Sequence, residues 1–316
     1  MLRRAARAEP PRSEDLARAA RLLLVRSRRE AGGLFAGNYA SAFRGSGLEF
    51  EESRPYAPGD DVRAIDWRAT ARHGEPYVKR FREERDQTLL FALDCSASMR
   101  FGSGARSKAE TAAHALALLA AAASRAGDRL GLVAFDEQLR AAIPPARGVA
   151  HGRRIVETAL ACAAAADAGT RLDAGLRALR AATHRRAVLI VFSDFRDERL
   201  LPERDDAASE LLSELGRRHD LIAAALLDRL ELSLPRVGSI QLVDPEHPGE
   251  LRRLDTHRSR ARSAWLAACA ERRERLAAAL RRAGADLVWL RADQSPLQAL
   301  ARFFRERTAR RQRIGA

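Results

Sequence analysis

The sequence has little cysteine and almost no lysine. Its three cysteines, Cys95, Cys162 and Cys269, lack the paired spacing of a disulfide framework or a zinc site, so we expect a reducing, cytoplasmic environment. All of the 56 basic residues except Lys79 and Lys108 are arginines, and the formal net charge is +14. Because acidic residues are interspersed with the arginines, we interpret this charge as a solvated surface of mixed sign. No nucleic-acid partner is expected, and nucleic-acid binding remains an alternative that rests on charge alone.

Long apolar runs are also missing. No stretch approaches the ~18 uninterrupted apolar residues of a membrane helix, and residues 1–4 are not followed by the apolar segment of a signal peptide. We therefore expect a soluble chain without a transmembrane segment. The one dense basic run, residues 302–313, could contact acidic lipid at a membrane surface or a partner, or it could be a frayed end.

Motifs that mark several classes of enzyme do not occur in the sequence. It contains no G-x-x-x-x-G-K-[ST] phosphate loop, no H-E-x-x-H metalloprotease motif and no G-x-S-x-G nucleophile elbow. The seven histidines show no metal-ligand spacing. We therefore expect a binding protein and not an enzyme. A Mg²⁺-dependent phosphatase is the enzymatic alternative, because Asp94 and Asp194 could both approach a metal, although Ser96 stands where a second acid for proton transfer would be needed.

Composition and patterning divide the chain into four segments. Residues 1–30 are basic with a short helical stripe, and residues 31–87 are rich in glycine, proline and aromatic residues, which predicts a small β-rich extension or domain. Residues 88–308 alternate apolar strands with helices, and residues 309–316 form a basic tail. Continuous apolar strands separated by helices predict an α/β fold with a doubly wound, mostly parallel sheet that is covered on both faces. Residues 139–143 are expected to add a short antiparallel strand.

The most informative pattern follows the first strongly apolar strand of the α/β segment. It reads D-C-S-A-S and places the carboxylate of Asp94 and the hydroxyls of Ser96 and Ser98 on one loop at the carboxyl end of that strand. Two later loops that should gather at the same edge carry further oxygen donors, Thr170 and Asp194. Hard oxygen ligands of this kind suit Mg²⁺ or Mn²⁺.

These five oxygen-bearing residues predict a metal-dependent adhesion site. Serine and threonine hydroxyls are neutral, so a divalent metal that they hold would keep positive charge and would bind an acidic side chain of a partner protein. The alternative is that the same residues are ordinary turn and N-cap residues, positions that Ser, Thr and Asp favour in any protein.

Segments on both sides of this pattern resemble the von Willebrand factor A-like fold, and more closely the bacterial DUF58 family. The segments that carry the resemblance are G-S-G-L-E-F at 45–50, R-P-Y-A-P-G-D-D-V-R-A-I-D-W at 54–67, T-A-R at 70–72, S-K at 107–108, G-D-R-L-G-L at 127–132 and L-Q-A-L-A-R-F-F at 297–304. The resemblance extends over roughly residues 35–308.

The resemblance implies a partner and a ligand set. Proteins of this family are typically encoded beside MoxR-type AAA+ ATPases, so the resemblance implies that the chain acts with such an ATPase in assembling or activating other proteins. Many relatives carry membrane helices ahead of the domain, and this chain resembles a short, soluble member. The family's metal residues carry over to Asp94, Ser96, Ser98, Thr170 and Asp194.

Two residues near the predicted site depart from what the resemblance implies. Phe195 stands where many von Willebrand factor A-like domains have glycine, and we expect it to fill space near the site. Cys95 follows the first aspartate of the pattern, at a position where a small residue is tolerable.

Residues 59–67 suggest no chemistry of their own. We favour a structural role over a second binding site. In this interpretation Asp60 and Asp61 pair with Arg54, Arg63 or Arg72. Trp67 would lie in a small core.

Overall fold

The computed structural model describes residues 13–43, 48–83, 87–165, 168–196, 207–243 and 251–314 of the 316-residue chain. Parts of the sequence-based interpretation fall outside these ranges, namely residues 1–12 of the basic N-terminal segment, residues 45–47 of the family-like segment and residues 315–316 of the basic tail. Within the described ranges, no helix has both the length and the apolar character needed to cross a bilayer.

Helices and strands alternate through most of the described chain. The α-helices are α1 (Ser13–Glu30), α2 (Leu34–Phe43), α3 (Trp67–His73), α4 (Lys108–Ala126), α5 (Val149–Ala164), α6 (Leu172–Ala182), α7 (Ala207–Arg218), α8 (Ser259–Arg282) and α9 (Pro296–Ile314). The strands are β1 (Leu48–Pro55), β2 (Tyr77–Glu83), β3 (Thr88–Asp94), β4 (Arg129–Phe135), β5 (Leu139–Ala146), β6 (Val188–Ser193), β7 (Asp220–Leu227), β8 (Ser239–Val243), β9 (Leu251–Asp255) and β10 (Asp286–Arg291).

The central sheet has six strands in the order β10-β7-β6-β3-β4-β5. All neighbouring strands in it are parallel except β4 and β5, which are antiparallel as predicted. Strands β1 and β2 form one separate antiparallel pair, and β8 and β9 form another. This architecture confirms the α/β class with a mostly parallel sheet. The strand order reverses between β3 and β6, and ligands of open α/β sheets bind outside the carboxyl ends of the strands at such a switch point.

Alternate residues of β3 enter apolar clusters on opposite faces of the sheet. Leu89, Phe91 and Leu93 pack in the cluster formed with helices α1, α2, α4, α5 and α9. Leu90 and Ala92 pack with residues of α6, α7 and α8. All five side chains are buried, which explains why the strand has a continuous apolar sequence instead of an alternating one.

Helix α2 differs from the predicted β-rich extension. Phe35, Tyr39 and Phe43 recur every fourth residue and therefore share one face of a helix. Their rings lie 5.8, 6.0 and 5.2 Å from the ring of Phe304 in α9, and the Tyr39 hydroxyl donates to Asp128 at 2.8 Å. This aromatic spacing is a helical signal that the glycine-rich composition of the segment concealed.

The basic run at the carboxyl end belongs to helix α9, which continues to Ile314 and is not a frayed tail. Arg307 is buried and pairs with Asp286 at 2.8 Å and with Asp220. Arg311 also donates to Asp220, at 2.9 Å. Because Asp220 and Asp286 open β7 and β10, these ion pairs fasten the helix to the amino edge of the sheet. Part of the positive charge of this run is therefore used inside the fold.

Residues 59–67 form the predicted ion pair but not the predicted small core. Arg54 donates two hydrogen bonds to Asp60, at 2.9 and 2.6 Å, and Asp66 caps the amino end of α3. Trp67 is 72% exposed, so the prediction that it lies in a small core is wrong. The physical reason is size, because the two-stranded β1–β2 sheet can cover few large side chains.

Helix α7 lies against the end of α8 at Gly216, and this close contact can be tested by measuring stability. A Cβ added to Gly216 would lie 1.9 Å from the carbonyl oxygen of Ala283 at the end of α8, so an alanine side chain fits only if that backbone moves. We expect Gly216→Ala to lower the free energy of unfolding by about 1–3 kcal/mol, measured by urea denaturation.

Gly37→Ala is the matched control. Gly37 lies in helix α2, and an added Cβ would meet nothing within 4 Å. Because alanine favours helix over glycine by about 1 kcal/mol, this variant should be neutral or more stable than the wild type. Equal losses of stability in the two variants would contradict the steric explanation for Gly216.

Candidate metal centre

The predicted site lies at the switch point of the central sheet. Strands β3 and β6 are parallel neighbours, with Leu93 opposite Phe192. The next residues along the two strands, Asp94 and Ser193, therefore emerge side by side at the carboxyl edge. The Ser193 hydroxyl donates a 2.5 Å hydrogen bond to Asp94 Oδ2. The strand register thus brings together two loops that are distant in sequence.

Asp94 is buried, and neutral groups hold its carboxylate. Besides Ser193, the amide of Ser96 donates to Asp94 Oδ1 at 2.9 Å. Burial, and after it the charge of Asp194, raise the pKa of Asp94 to about 7. Among the residues that the structure describes, no basic side chain forms an ion pair with Asp94, so its negative charge would be uncompensated when it ionises.

Two serine hydroxyls connect Asp94 with Asp194. The hydroxyl oxygens of Ser96 and Ser98 are 3.1 Å apart, and the Ser98 hydroxyl donates to Asp194 Oδ1 at 3.3 Å. All four of these residues are buried. Four of the five predicted ligands therefore form one hydrogen-bonded group.

Thr170, the fifth predicted ligand, lies on a loop that is anchored at the same edge of the sheet. The amide of Ala97, between the two site serines, donates to the Ala168 carbonyl at 2.8 Å, and the Arg171 amide donates to the Asp136 carbonyl at 3.0 Å. Thr170 is half-buried between these two anchors. The loop thus borders the hydrogen-bonded group formed by the other four residues.

A buried cation beside this group was not predicted from the sequence. The Lys108 side chain is 1% exposed, and its ammonium donates to Asp194 Oδ2 at 2.9 Å and to Glu231 Oε1 at 3.0 Å. Arg196 pairs with Glu231 and lies 3.7 Å from Asp194. Burial alone would raise the pKa of Asp194, but the nearby charges of Lys108 and Arg196 outweigh it and hold this pKa below its usual range. Asp194 is therefore ionised and already paired.

One sequence signal could have identified Lys108. It is one of only two lysines in a chain whose other basic residues are arginines. Its ammonium is a compact charge with three donors, and two of them reach the carboxylates of Asp194 and Glu231. No feature of the sequence singles out Glu231 in the same way. It reaches the site only because the segment after β7 folds back over the carboxyl edge of the sheet.

The donor set fits a hard divalent cation. Asp94, Ser96, Ser98 and Asp194 offer the carboxylate and hydroxyl oxygens that Mg²⁺ and Mn²⁺ prefer, and Asp94 would supply the uncompensated negative charge. No group of three or more His, Cys, Asp or Glu residues that could hold a metal occurs in the described part of the chain. A metal at this edge of the sheet would therefore depend on the serine hydroxyls.

Phe195 has a backbone conformation that glycine adopts more readily than a bulky residue does. Its φ of 51° lies in the left-handed region, which glycine enters freely and bulky residues avoid. Its amide donates to the Ser193 hydroxyl at 2.9 Å. Its buried ring packs in the apolar cluster that includes Leu276 and Leu280 of α8. This burial offsets the unfavourable backbone conformation and fills space beside the site.

Cys95 is a buried thiol next to the site. Its hydrogen bond with Cys162 of α5, and then its burial, raise the pKa of the Cys95 thiol, while the same bond lowers the pKa of Cys162. Both residues are free cysteines. A thiol whose pKa is raised in this way stays neutral and does not add charge to the site.

A family model described as "Protein of unknown function DUF58" matches residues 52–275 of this chain. Uncharacterized protein Rv1480 of Mycobacterium tuberculosis is 32% identical over 296 residues, which cover 92% of this chain and 90% of that protein. Uncharacterized protein Mb1516 of Mycobacterium bovis shows the same identity and coverage.

Two solved structures with low sequence identity also match. The conserved hypothetical protein BatB from Bacteroides thetaiotaomicron has a TM-score of 0.41 at 13% identity, with 71% of this chain and 99% of that chain covered. The SpRpn10 VWA domain has a TM-score of 0.36 at 12% identity, with 70% of this chain and 94% of that chain covered.

The buried ammonium generates a second stability test. Lys108→Met keeps much of the apolar stem but leaves Asp194 and Glu231 without the cation that they share. Removing one partner of a buried ion pair costs about 3–5 kcal/mol. We expect a loss near the lower end of that range in chemical denaturation, because Arg196 still approaches both carboxylates.

Arg218→Met provides the control for this test. The Arg218 side chain is 59% exposed and pairs with Glu214 on the helix surface. Exposed pairs of this kind contribute about 0–1 kcal/mol. If Lys108→Met cost no more than Arg218→Met, the ammonium would not have the role in stability that its burial implies.

Proposed function

The chain belongs to the DUF58 family, and from that premise we propose that it is a non-enzymatic protein-binding module. Its site would hold Mg²⁺ or Mn²⁺ through Asp94, Ser96, Ser98, Thr170 and Asp194, and the metal would bind an acidic side chain of another protein. Its partner would be a MoxR-type AAA+ ATPase together with the client proteins on which that ATPase acts.

The observation that supports this proposal most is the environment of Asp94. A carboxylate that is buried among neutral hydroxyl and amide donors, beside a second buried carboxylate, lacks a balancing positive charge. A bound divalent cation would supply that charge, and the hydroxyls of Ser96 and Ser98 would complete its oxygen ligands. This group of residues lies at the switch point of the sheet, which is the place where open α/β folds bind ligands.

The charge balance of the site favours an acidic partner group. Lys108 already pairs with Asp194, so Asp94 is the one carboxylate of the predicted ligands left to offset a divalent ion. One negative charge against two positive charges leaves the bound metal with net positive charge. An aspartate or glutamate from another protein would neutralise it, and this is the reason for proposing protein binding.

The ATPase partnership rests on the family resemblance. The resemblance implies action beside a MoxR-type AAA+ ATPase in assembling or activating other proteins. A module with a charged recognition site would suit the role of an adaptor, which links such an ATPase to the proteins that it remodels.

Metal binding is tested by isothermal titration of the full chain with Mg²⁺ and with Mn²⁺. We expect saturable binding by the wild type and none by Asp94→Ala, because the substitution removes the predicted ligand whose carboxylate has no ion pair within the described part of the chain. Asp293→Ala is the matched control. Asp293 also follows a strand at the carboxyl edge but is paired with Arg291, so this variant should bind metal as the wild type does. Wild-type affinity in a folded Asp94→Ala variant would refute the metal site.

The partnership is tested by a pull-down of a MoxR-type ATPase encoded in the same genome, with immobilised wild type, Asp94→Ala and Asp293→Ala. We expect Mg²⁺-dependent retention by the wild type and by Asp293→Ala, with retention lost in Asp94→Ala. Equal retention by all three proteins would mean that the ATPase does not bind through this site. No retention by any of them would count against the ATPase as a direct partner.

A further inference from the structure

A cleft of about 100 Å³ opens beside Ser98 and is lined mainly by apolar side chains. Its walls come from parts of the chain that are far apart in sequence, which meet at the carboxyl edge of the sheet. The apolar residues that line it are Phe101, Leu230, Leu234, Leu242, Val243 and Trp265.

The walls of this cleft combine a fixed base with an open rim. The Trp265 indole N–H donates to the Leu230 carbonyl at 3.1 Å, which holds the ring in place, and Leu234 is only 7% exposed. At the rim, Phe101 and Val243 are 42% and 49% exposed. A preformed apolar cavity that is open to solvent on one side is the usual form of a binding pocket.

The other end of the cleft is charged and adjoins the candidate metal centre. It is formed by Ser98, Lys108, Arg196 and Glu231. The Lys108 ammonium lies 5.9 Å from the centre of the Phe101 ring, so the charged and apolar ends are in direct contact. Arg196 has a side chain that is 36% exposed, and it presents positive charge to a group entering from solvent. At this end the two basic side chains are paired with Glu231 and with the adjoining Asp194.

We propose that the cleft is a specificity pocket, which receives a bulky apolar side chain lying next to the partner's acidic residue. The inference rests on the proposed function, because the acidic residue is the group that the metal would bind. The partly exposed guanidinium of Arg196 complements that acidic residue, and the apolar end complements its neighbour. A cavity of roughly 150 Å³ accommodates benzene, so a smaller cleft with an open rim suits one aliphatic side chain or part of an aromatic ring.

The probe is a displayed library of random nine-residue peptides, selected on the immobilised full chain in Mn²⁺ and, in parallel, in a chelator. We expect peptides enriched only with Mn²⁺ to contain Asp or Glu with Leu, Ile, Met or Phe within a few positions of it. Enrichment of acidic residues with no apolar preference would overturn the pocket and leave the proposed function standing. Absence of Mn²⁺-dependent enrichment of acidic residues would overturn both.

Variants of the cleft test the same inference with one selected peptide, whose dissociation constant is measured by fluorescence anisotropy. We expect Phe101→Ser and Val243→Ser to weaken binding about tenfold or more, since each removes apolar area that the peptide side chain would cover. Val237→Ser is the matched control, because Val237 is 59% exposed and lies outside the cleft. Val243 is itself half-exposed, so its variant should fold normally. Unchanged binding by both cleft variants would overturn the pocket.

Discussion

The bridge between Lys108, Asp194 and Glu231 is the interaction on which the carboxyl edge of the sheet depends. It joins the first residue of α4, the loop after β6 and the short 3₁₀ helix after β7. Two acidic side chains can be buried together there only because a cation lies between them. The bridge balances the charge of Asp194 and leaves that of Asp94 without a basic partner, and the proposal of a divalent-ion site rests on this asymmetry.

The same arrangement places two kinds of chemistry within reach of one ligand. Ser98 belongs both to the hydrogen-bonded oxygen group and to the wall of the apolar cleft. A carboxylate alone would engage only the first, and an apolar side chain alone only the second. If the proposed pocket and metal site act together, a partner that offers both groups would be favoured over one that offers only one of them, and this difference in affinity is what specificity means.

Sequence reasoning succeeded where burial imposes a strong pattern and failed where it does not. Strands β3, β6 and β7 are covered on both faces, so their continuous apolar runs identified a parallel sheet. Helix α2 was missed because three aromatic residues in a glycine-rich segment define its buried face. Trp67 was misplaced because a tryptophan in sequence carries no information on whether the surrounding sheet is large enough to bury it. In each case the deciding factor was the tertiary environment.

The sequence by itself determined the α/β class, the family resemblance and the positions of the oxygen donors, because these depend on local periodicity and on residue types that follow strand ends. Only the tertiary structure decided that Ser193 holds Asp94, that Lys108 and Glu231 share Asp194's surroundings, and that apolar residues from four segments form a cleft beside Ser98. These contacts join residues that are remote along the chain, and strand order and register, which set them, are properties of the packed sheet and not of any local segment.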